Sequence, residues 1–377
     1  MDIQSPMKPI RLFTGILLVL AAFGLASAAQ PSRPLPRRPN IILIVANGLS
    51  ANDLSCYGQT QFQTPNLDKL AAGGVRFTHY SAGAPTGAPA RAALMTGRDI
   101  SVAANNVTLV PNDVTIAQLL KDSGYFTSLI GEWDLGGEAS SGAPWLKGFD
   151  EFAGYFTAED AANAYAESIW RYECDPGHND LQRFNQSEQV YPNAGGQQGQ
   201  YIPDWLTTLA ATVTKKHEPT RFNRYRPFFL MLSCPVPGNG DRVVPTDAPF
   251  SDEPWPQPEK NRAAMIARLD NNIGQLLQQL DKINQTSNTV IVFTSDTVPK
   301  KAGGIDPKFF HENASPDGLL VPMIVSWPGK IPAGRVYSQD CTAHDVLPTI
   351  AGIGLVTPPR KINGVSLLPA LFGQTRK

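Results

Sequence analysis

Residues 40–46 read Asn-Ile-Ile-Leu-Ile-Val-Ala, a continuous run of apolar and β-branched side chains. A strand that is apolar on both faces is typical of a parallel sheet covered by helices on both sides. A helix is predicted next over residues 65–72, with Thr64 as its N-cap and Gly73-Gly74 as its stop. A buried strand followed by a capped helix is the repeating unit of an α/β fold.

The same unit recurs along the chain without a sequence repeat. Helices are predicted over residues 115–123 and along the apolar face marked by Ile266, Leu269, Ile273, Leu276, Leu277 and Leu280. Strands are predicted over residues 125–130, 227–233, 289–295 and 321–326. This alternation predicts an α/β fold with a mainly parallel central sheet flanked by helices. Residues 155–225 lack such a pattern, and we expect an irregular surface excursion there.

The composition indicates a folded chain without a basic surface. Of 377 residues, 42% are hydrophobic and 17% are charged, and the formal net charge is −1. This apolar content is enough for a large core, which we assign to a domain over residues 39–372. A nucleic-acid partner is not expected, because such proteins carry a basic footprint.

Residues 1–29 have the pattern of an export signal. Two basic residues precede an apolar run over residues 12–25, and the small residues 26–28 form a cleavage site. The run is too short for a comfortable membrane span. We therefore expect cleavage, a periplasmic or secreted mature chain without a transmembrane helix, and a Pro/Arg-rich lead-in over residues 30–38. A retained N-terminal anchor is the alternative.

Four cysteines are present, Cys56, Cys174, Cys234 and Cys341, and none belongs to a C-x-x-C pair. This spacing gives no support to a zinc site or a thioredoxin-like motif. In an oxidising compartment the four thiols can form up to two disulfides, and buried free thiols are the alternative.

The stretch from Ala84 to Arg98 reads APTGAPARAALMTGR. It resembles the sulfatase signature, in which a Cys or Ser is followed by x-Pro-x-Arg and then by a helix that ends in Thr-Gly-Arg. Further matches in the same order are RPNI at 38–41, TPNLDKLA at 64–71, GVRFT at 74–78, GFD at 148–150, PFFL at 227–230, FTSD at 293–296 and WPGK at 327–330. On these motifs, which span roughly residues 38–370, the chain is identified as a member of the sulfatase family.

The resemblance implies the alkaline-phosphatase-like fold of that superfamily. Sulfatases usually continue into a smaller C-terminal subdomain, whereas this sequence ends at Lys377. We therefore expect that subdomain to be truncated or absent.

The nucleophile that the resemblance implies is missing. Sulfatases use a Cys or Ser oxidised to formylglycine, and covalent catalysis of this kind needs a side-chain heteroatom. Here that position is Gly87. Thr86 carries a hydroxyl but is one residue out of register, and we expect it to cap the following helix.

The basic groups of the family site are also altered. Where the family motif reads Lys-Trp-His-Leu-Gly, Glu132 and Asp134 replace the ammonium and the imidazole. These carboxylates oppose a sulfate anion electrostatically. A later family His falls at about Pro235 or Gly238, and a later Lys falls near His311. None of these positions is expected to be catalytic.

The resemblance also implies a divalent cation, usually calcium, held by two Asp after the first strand and an Asp-Asn pair after a later one. Here the pairs are Asn47-Gly48 and Asp296-Thr297, so one carboxylate remains. Hard cations need several oxygen ligands, and no metal or other cofactor is therefore expected. Arg91 and Asp296 are the family residues that remain. Alternatively, Arg91 only braces its own helix, and Asp296 only accepts hydrogen bonds from loop amides.

These departures predict a catalytically degenerate, exported member of the family that binds a small molecule, a glycan or a protein. The alternatives are an active sulfuric-ester or phosphoester hydrolase with a rearranged site, and a gene product without a selected activity. Glu132, Asp134, Asp296 and His311 are the candidates for a remodelled acidic site for a cation or an amine. Carboxylates on a solvated rim are the alternative for the first two.

Overall fold

The computed structural model describes residues 38–99, 107–175, 181–219, 226–238, 243–298 and 320–374. The predicted signal peptide, residues 30–37 of the lead-in and His311 lie outside these ranges. The strands are β1 (Asn40–Asn47), β2 (Gly74–Phe77), β3 (Tyr80–Ser81), β4 (Phe126–Glu132), β5 (Glu151–Tyr155), β6 (Ser168–Asp175), β7 (Leu181–Gln189), β8 (Phe228–Pro237), β9 (Thr289–Ser295), β10 (Met323–Ser326), β11 (Arg335–Tyr337) and β12 (Cys341–Thr342).

Helices lie between several of these strands and after the last one. They are α1 (Pro65–Ala72), α2 (Gly87–Thr96), α3 (Ile116–Asp122), α4 (Ala158–Ala162), α5 (Ile202–Lys216), α6 (Gln257–Lys282), α7 (Val346–Ile353) and α8 (Leu368–Leu371). None of the helices in the described ranges is both long enough and apolar enough to cross a bilayer.

Ten strands form one sheet in the order β11-β2-β10-β9-β1-β8-β4-β5-β6-β7, and β3 pairs separately with β12. The five central strands, from β9 to β5, are parallel to one another. Antiparallel neighbours flank them, with β10 beside β9 and β6 beside β5. The predicted α/β class with a parallel centre is confirmed, within a sheet that is mixed overall.

Helices cover both faces of the sheet. Ile41, Leu43 and Val45 of β1 belong to a core cluster that includes residues of α2 and α7. Ile42 and Ile44 face the opposite cluster, which includes residues of α5 and α6. All five side chains are fully buried. Because successive side chains of a strand point to opposite faces and both faces are covered, β1 is apolar at every position between its two terminal asparagines.

Residues 155–225 are more regular than their composition predicts. The hairpin of β6 and β7 extends the sheet past β5, and α5 follows it. The pattern failed for β7 because its sequence, LQRFNQSEQ, is mostly polar. β7 is the edge strand of the sheet and is hydrogen-bonded only to β6. Strands at an edge often carry polar side chains, which weakens the alternation of apolar and polar residues by which strands are identified.

All four cysteines are free thiols. Cys174, Cys234 and Cys341 are buried, and Cys56 is partly exposed. Of the two alternatives, the structure therefore has buried free thiols rather than disulfides.

Candidate functional site

Three polar residues meet at one edge of the sheet. Asn47 ends β1, Glu132 ends β4 and Asp296 follows β9. Because these strands are parallel, their carboxyl ends lie at the same edge. Nδ2 of Asn47 lies 3.3 Å from Oε2 of Glu132 and 3.4 Å from Oδ2 of Asp296. The structure thus brings together residues that are separated by up to 249 positions in the sequence.

Arg91 is the cation of this cluster. Its Nη2 atom lies 2.9 Å from Oε1 of Glu132 and 2.7 Å from Oδ2 of Asp296. Its Nε atom donates to the same Asp296 oxygen at 2.9 Å, and Nη1 donates to the backbone carbonyl of Glu132 at 2.8 Å. Arg91 therefore links two strand ends and is not simply a brace for its own helix.

The cluster is almost completely removed from water. The side chains of Arg91 and Asp296 are 0% exposed, and that of Glu132 is 1% exposed. Burial alone lowers the pKa of the guanidinium, but the adjacent carboxylates of Glu132 and Asp296 outweigh burial and raise it. A charge this deeply buried is stable only when it is paired. Glu132 is therefore not a solvated rim carboxylate.

Both carboxylate oxygens of Asp296 are hydrogen-bonded. Oδ2 accepts from Arg91, while Oδ1 accepts from the backbone N–H of Gly48 at 3.2 Å and from Oγ1 of Thr297 at 2.9 Å. Asp296 thus accepts a loop amide and also pairs with a cation, so both roles considered for it are present.

Gly87 is the first residue of α2 and faces the cluster. A Cβ atom at this position would lie 3.5 Å from Oδ2 of Asp296. The position therefore points into the site, as the motif spacing predicts, but contributes no side-chain atom. Thr86 occupies the N-cap position in an extended conformation, and its side chain makes no capping hydrogen bond.

Asp134 lies at the margin of the cluster. Its backbone has φ of +57°, an uncommon left-handed conformation for a residue with a side chain. Its Oδ1 atom accepts from the backbone N–H of Ala158 at 3.3 Å. Desolvation raises the pKa of this carboxyl, with Arg91 acting in the opposite direction. The charge of the cluster therefore acts on Asp134, while the hydrogen bond of its side chain comes from the first residue of α4.

Pro235, a further family position within the described ranges, contributes no catalytic group. Pro235 lies within β8, is buried and has no titratable side chain. Its neighbour Cys234 is also buried, and burial raises the pKa of that thiol to about 12 in spite of the opposing field of Arg91. A thiol with so high a pKa is a poor nucleophile at neutral pH.

A second buried ion pair supports the site and was missed in the sequence. Nη2 of Arg262 lies 2.7 Å from Oδ2 of Asp53 and donates to the carbonyl of Gly48 at 2.9 Å. Its Nη1 atom donates to the carbonyl of Gly238 at 2.8 Å. Arg262 precedes Ile266 by one helical turn, on the apolar face of α6. A charged residue on such a face is the signal that could have identified it.

The arrangement does not fit a hard divalent cation. The carboxylates of Glu132 and Asp296 are paired with Arg91, and Asn47 presents its N–H donors to them rather than its oxygen. Gly48 has no side chain, and Thr297 donates to Asp296. Across the described ranges, no group of three His, Cys, Asp or Glu side chains is arranged to hold a metal. Calcium coordination requires several free oxygens at one point.

The fold and this sheet edge define an alkaline-phosphatase-like α/β protein, and comparisons with known proteins give the family. The family model described as Sulfatase matches residues 39–354. The chain belongs to the sulfatase family.

Characterised relatives match along most of the chain. Human arylsulfatase A is 30% identical over 386 residues, which cover 95% of this chain and 71% of that protein. N-acetylgalactosamine-6-sulfatase of the dog, Canis lupus familiaris, is 29% identical over 403 residues, which cover 97% and 72%. Sulfatases of this family usually bind a metal ion at the active site, and the cluster around Arg91 differs from such a site.

Solved structures agree on the fold. The complex of Ps i-CgsB with k-i-k-neocarrahexaose superposes with a TM-score of 0.70 at 27% identity, covering 89% of this chain and 76% of that chain. The PsFucS1 sulfatase from Pseudoalteromonas sp. gives 0.70 at 25% identity, covering 90% and 74%.

Proposed function

We propose that this chain is a catalytically degenerate member of the sulfatase family that is exported and acts as a binding scaffold. The main supporting observation is the buried cluster of Arg91, Glu132 and Asp296, whose charged groups satisfy one another. A hydrolase centre needs donors that stay available for the charge that develops on the substrate, and a nucleophile directed at it.

The absence of a nucleophile at Gly87 supports the same proposal. The alternative, a sulfuric-ester or phosphoester hydrolase with a rearranged site, needs another hydroxyl and a base to activate it. Thr86 is the adjacent hydroxyl, but the carboxylate of Asp296 is engaged by Arg91, Gly48 and Thr297. These contacts do not favour the alternative.

The electrostatics of the sheet edge also oppose a sulfate ester. Arg91 makes four short contacts with Glu132 and Asp296, so its donors are directed at the protein. Glu132 and Asp134 stand at positions where the family has cations. A carboxylate about 4 Å from a sulfate oxygen costs on the order of 1–4 kcal/mol, depending on the local dielectric.

The activity experiment uses the purified mature chain with 4-nitrophenyl sulfate and 4-nitrophenyl phosphate, with and without calcium. We expect no more nitrophenol than buffer releases, while an active sulfatase in the same assay confirms the conditions. Turnover that disappears in a Thr86→Ala variant and persists in the exposed control Thr208→Ala would overturn the proposal.

Export is the second part of the proposal, and the pattern of residues 1–29 supports it. Expression of the full-length chain in a secretion-competent host should yield a mature protein that lacks residues 1–29. Intact-mass measurement of the exported material tests this. A mass that retains residues 1–29 would contradict cleavage.

For the scaffold we propose a small-molecule, glycan or protein ligand. The complex of Ps i-CgsB with k-i-k-neocarrahexaose supports a glycan among these classes. Screening of the labelled mature chain against immobilised neutral and sulfated oligosaccharides tests the glycan class. Absence of any binding there would remove glycans from the proposal.

A further inference from the structure

A separate cavity lies beside the ion-pair cluster. It has a volume of about 410 Å³ and is formed by the end of β5, helix α4, the start of β6 and the end of β7. In the sheet, Tyr155 of β5 pairs directly with Glu132 of β4, so the cavity and the cluster occupy neighbouring strand ends. None of the family-equivalent site positions that the structure describes lines this cavity.

The cavity has a negative lining. Glu159, Asp160 and Glu167 contribute to its wall, and among the lining residues that the structure describes none is Lys, Arg or His. The hydroxyl of Thr157 donates to Oδ2 of Asp160 at 2.6 Å, and the N–H of Gly196 donates to Oε1 of Glu167 at 2.8 Å. These neutral donors orient the two carboxylates without cancelling their charge. A cation that enters the cavity therefore meets an attractive potential.

Aromatic rings form another part of the same wall. Phe156 and Trp170 both line the cavity, and their ring centroids are 5.3 Å apart. The indole N–H of Trp170 donates to Oδ1 of Asn185 at 2.8 Å, which fixes the plane of the ring. An ordered indole face next to carboxylates is the arrangement by which proteins recognise ammonium groups.

A buried hydroxyl in the lining gives an independent indication of a ligand. Tyr155 lines the cavity, and its side chain is 5% exposed. Its hydroxyl makes no hydrogen bond with any part of the chain that the structure describes. Buried hydroxyls nearly always have a partner, so this one is an unused polar group just behind the wall, where its own accessible surface is close to zero. Burial and the charge of Asp160 together raise the pKa of Tyr155, so the group is a neutral donor or acceptor at neutral pH.

We propose that this cavity binds a small organic cation, with its ammonium group between the carboxylates and Trp170. The volume suits a small molecule of this kind. Anionic compounds, sulfate esters among them, are disfavoured by the three carboxylates. The proposal is independent of the proposed function, because it does not use the cluster around Arg91 and holds whether or not that cluster is catalytic.

The experiment compares two probes of similar shape and different charge. Choline carries a quaternary ammonium, and 3,3-dimethylbutan-1-ol is its neutral analogue. Isothermal titration of the mature chain should give saturable binding of choline, and binding of the alcohol should be at least about tenfold weaker, because it lacks both the Coulomb and the cation–π contributions. Equal binding of both probes, or no binding of choline up to about 10 mM, would overturn the proposal.

Variants locate the binding. Glu159→Gln combined with Glu167→Gln should weaken choline binding about tenfold, and Tyr155→Phe should change the affinity for hydroxylated amines but not for tetramethylammonium. Glu253→Gln, an exposed carboxylate outside the cavity, is the matched control and should have no effect. Thermal melts of each variant confirm folding.

If the control variant lowers the affinity for choline as much as the cavity variants do, the binding is a general surface effect and the proposal is wrong. Ester turnover is measured separately, so the two proposals can fail independently.

Discussion

Arg91 and Asp296 are 205 residues apart in the sequence, yet the Nε and Nη2 atoms of the arginine both donate to Oδ2 of the aspartate, at 2.9 and 2.7 Å. The arginine comes from the first turns of α2, and the aspartate from the loop after β9. Their contact ties a helix to the carboxyl edge of the sheet, at the place where a hydrolase of this fold would act on its substrate.

Replacing Arg91 should destabilise the fold strongly. In Arg91→Met, Glu132 and Asp296 would remain buried without a cation, and loss of one partner of a buried pair costs about 3–5 kcal/mol. Urea unfolding at neutral pH measures this. Arg98→Met is the control, because Arg98 is 46% exposed in its pair with Asp113 and surface pairs contribute about 0–1 kcal/mol. Equal losses of unfolding free energy in both variants would show that the buried pair stabilises the fold no more than the surface pair does.

Calcium should leave the stability of the chain unchanged. A ligand that binds only the folded state raises the free energy of unfolding, by about 2.7 kcal/mol at a hundredfold excess over Kd, and so raises the melting temperature. Because Arg91 already pairs with the carboxylates, we expect equal melting temperatures with millimolar calcium and with a chelator. Differential scanning fluorimetry tests this. A calcium-dependent rise that is lost in Asp296→Asn would contradict our assignment of the site.

Restoring the nucleophile alone should not restore catalysis. Gly87→Cys is sterically acceptable, since a Cβ atom at this position would lie in ordinary van der Waals contact, 3.5 Å from Oδ2 of Asp296. Coexpression with a formylglycine-generating enzyme supplies the oxidation. We expect a folded protein without sulfate release, because the carboxylates remain paired and the basic groups are still replaced at Glu132 and Asp134. Gly87→Ala is the control for folding. Turnover in the oxidised variant would mean that the missing charges matter less than we infer.

His217 should make the protein less stable in mild acid. Burial, with added repulsion from Lys216 and Arg226, lowers the pKa of His217 from 6.5 to about 3. Below pH 6.5 the unfolded chain binds a proton that the folded chain does not bind until about pH 3. The stability contributed by the neutral imidazole is therefore present above pH 6.5 and is lost as the pH falls through this interval, by up to about 1.4 kcal/mol per pH unit.

Urea unfolding at pH 7, 6, 5 and 4 tests this dependence on His217. The ring packs 4.0 Å from that of Phe126, so His217→Gln should lower stability at pH 7 and also flatten the acid slope. The exposed His79→Gln should leave the slope as it is. A slope that is unchanged in His217→Gln would assign the acid sensitivity to other groups.

The sequence predicts the buried elements of the fold better than the exposed ones. The helix at 65–72 and the strand at 289–295 have the predicted bounds, because most of their apolar residues face the core. The hairpin of β6 and β7 was not predicted, since the mostly polar β7 resembles a loop. Local pattern therefore fails where a strand is stabilised mainly by pairing with its neighbour.

The candidate site was predictable in position but not in its internal contacts. Motif spacing located Asn47, Glu132 and Asp296, and the parallel sheet explains why they converge. The separation of Glu132 from Asp134 was not predictable: two residues apart on a strand they would share a face, but the positive φ of Asp134 ends that regularity. The pairing of Arg262 with Asp53 depends on how α6 docks, which no local pattern specifies.

The pairing of one guanidinium with two carboxylates also constrains how this chain can change by mutation. A substitution that adds a metal ligand at Gly48 or Thr297 would place it beside an arginine that already holds the charge, and removal of the arginine alone would leave two buried anions. Each single substitution toward an active centre is therefore neutral or destabilising, and only several substitutions together could improve activity. Such dependence among positions is strong epistasis. If the proposed loss of catalysis holds, several substitutions would have to occur together before this site could resemble that of a catalytic sulfatase.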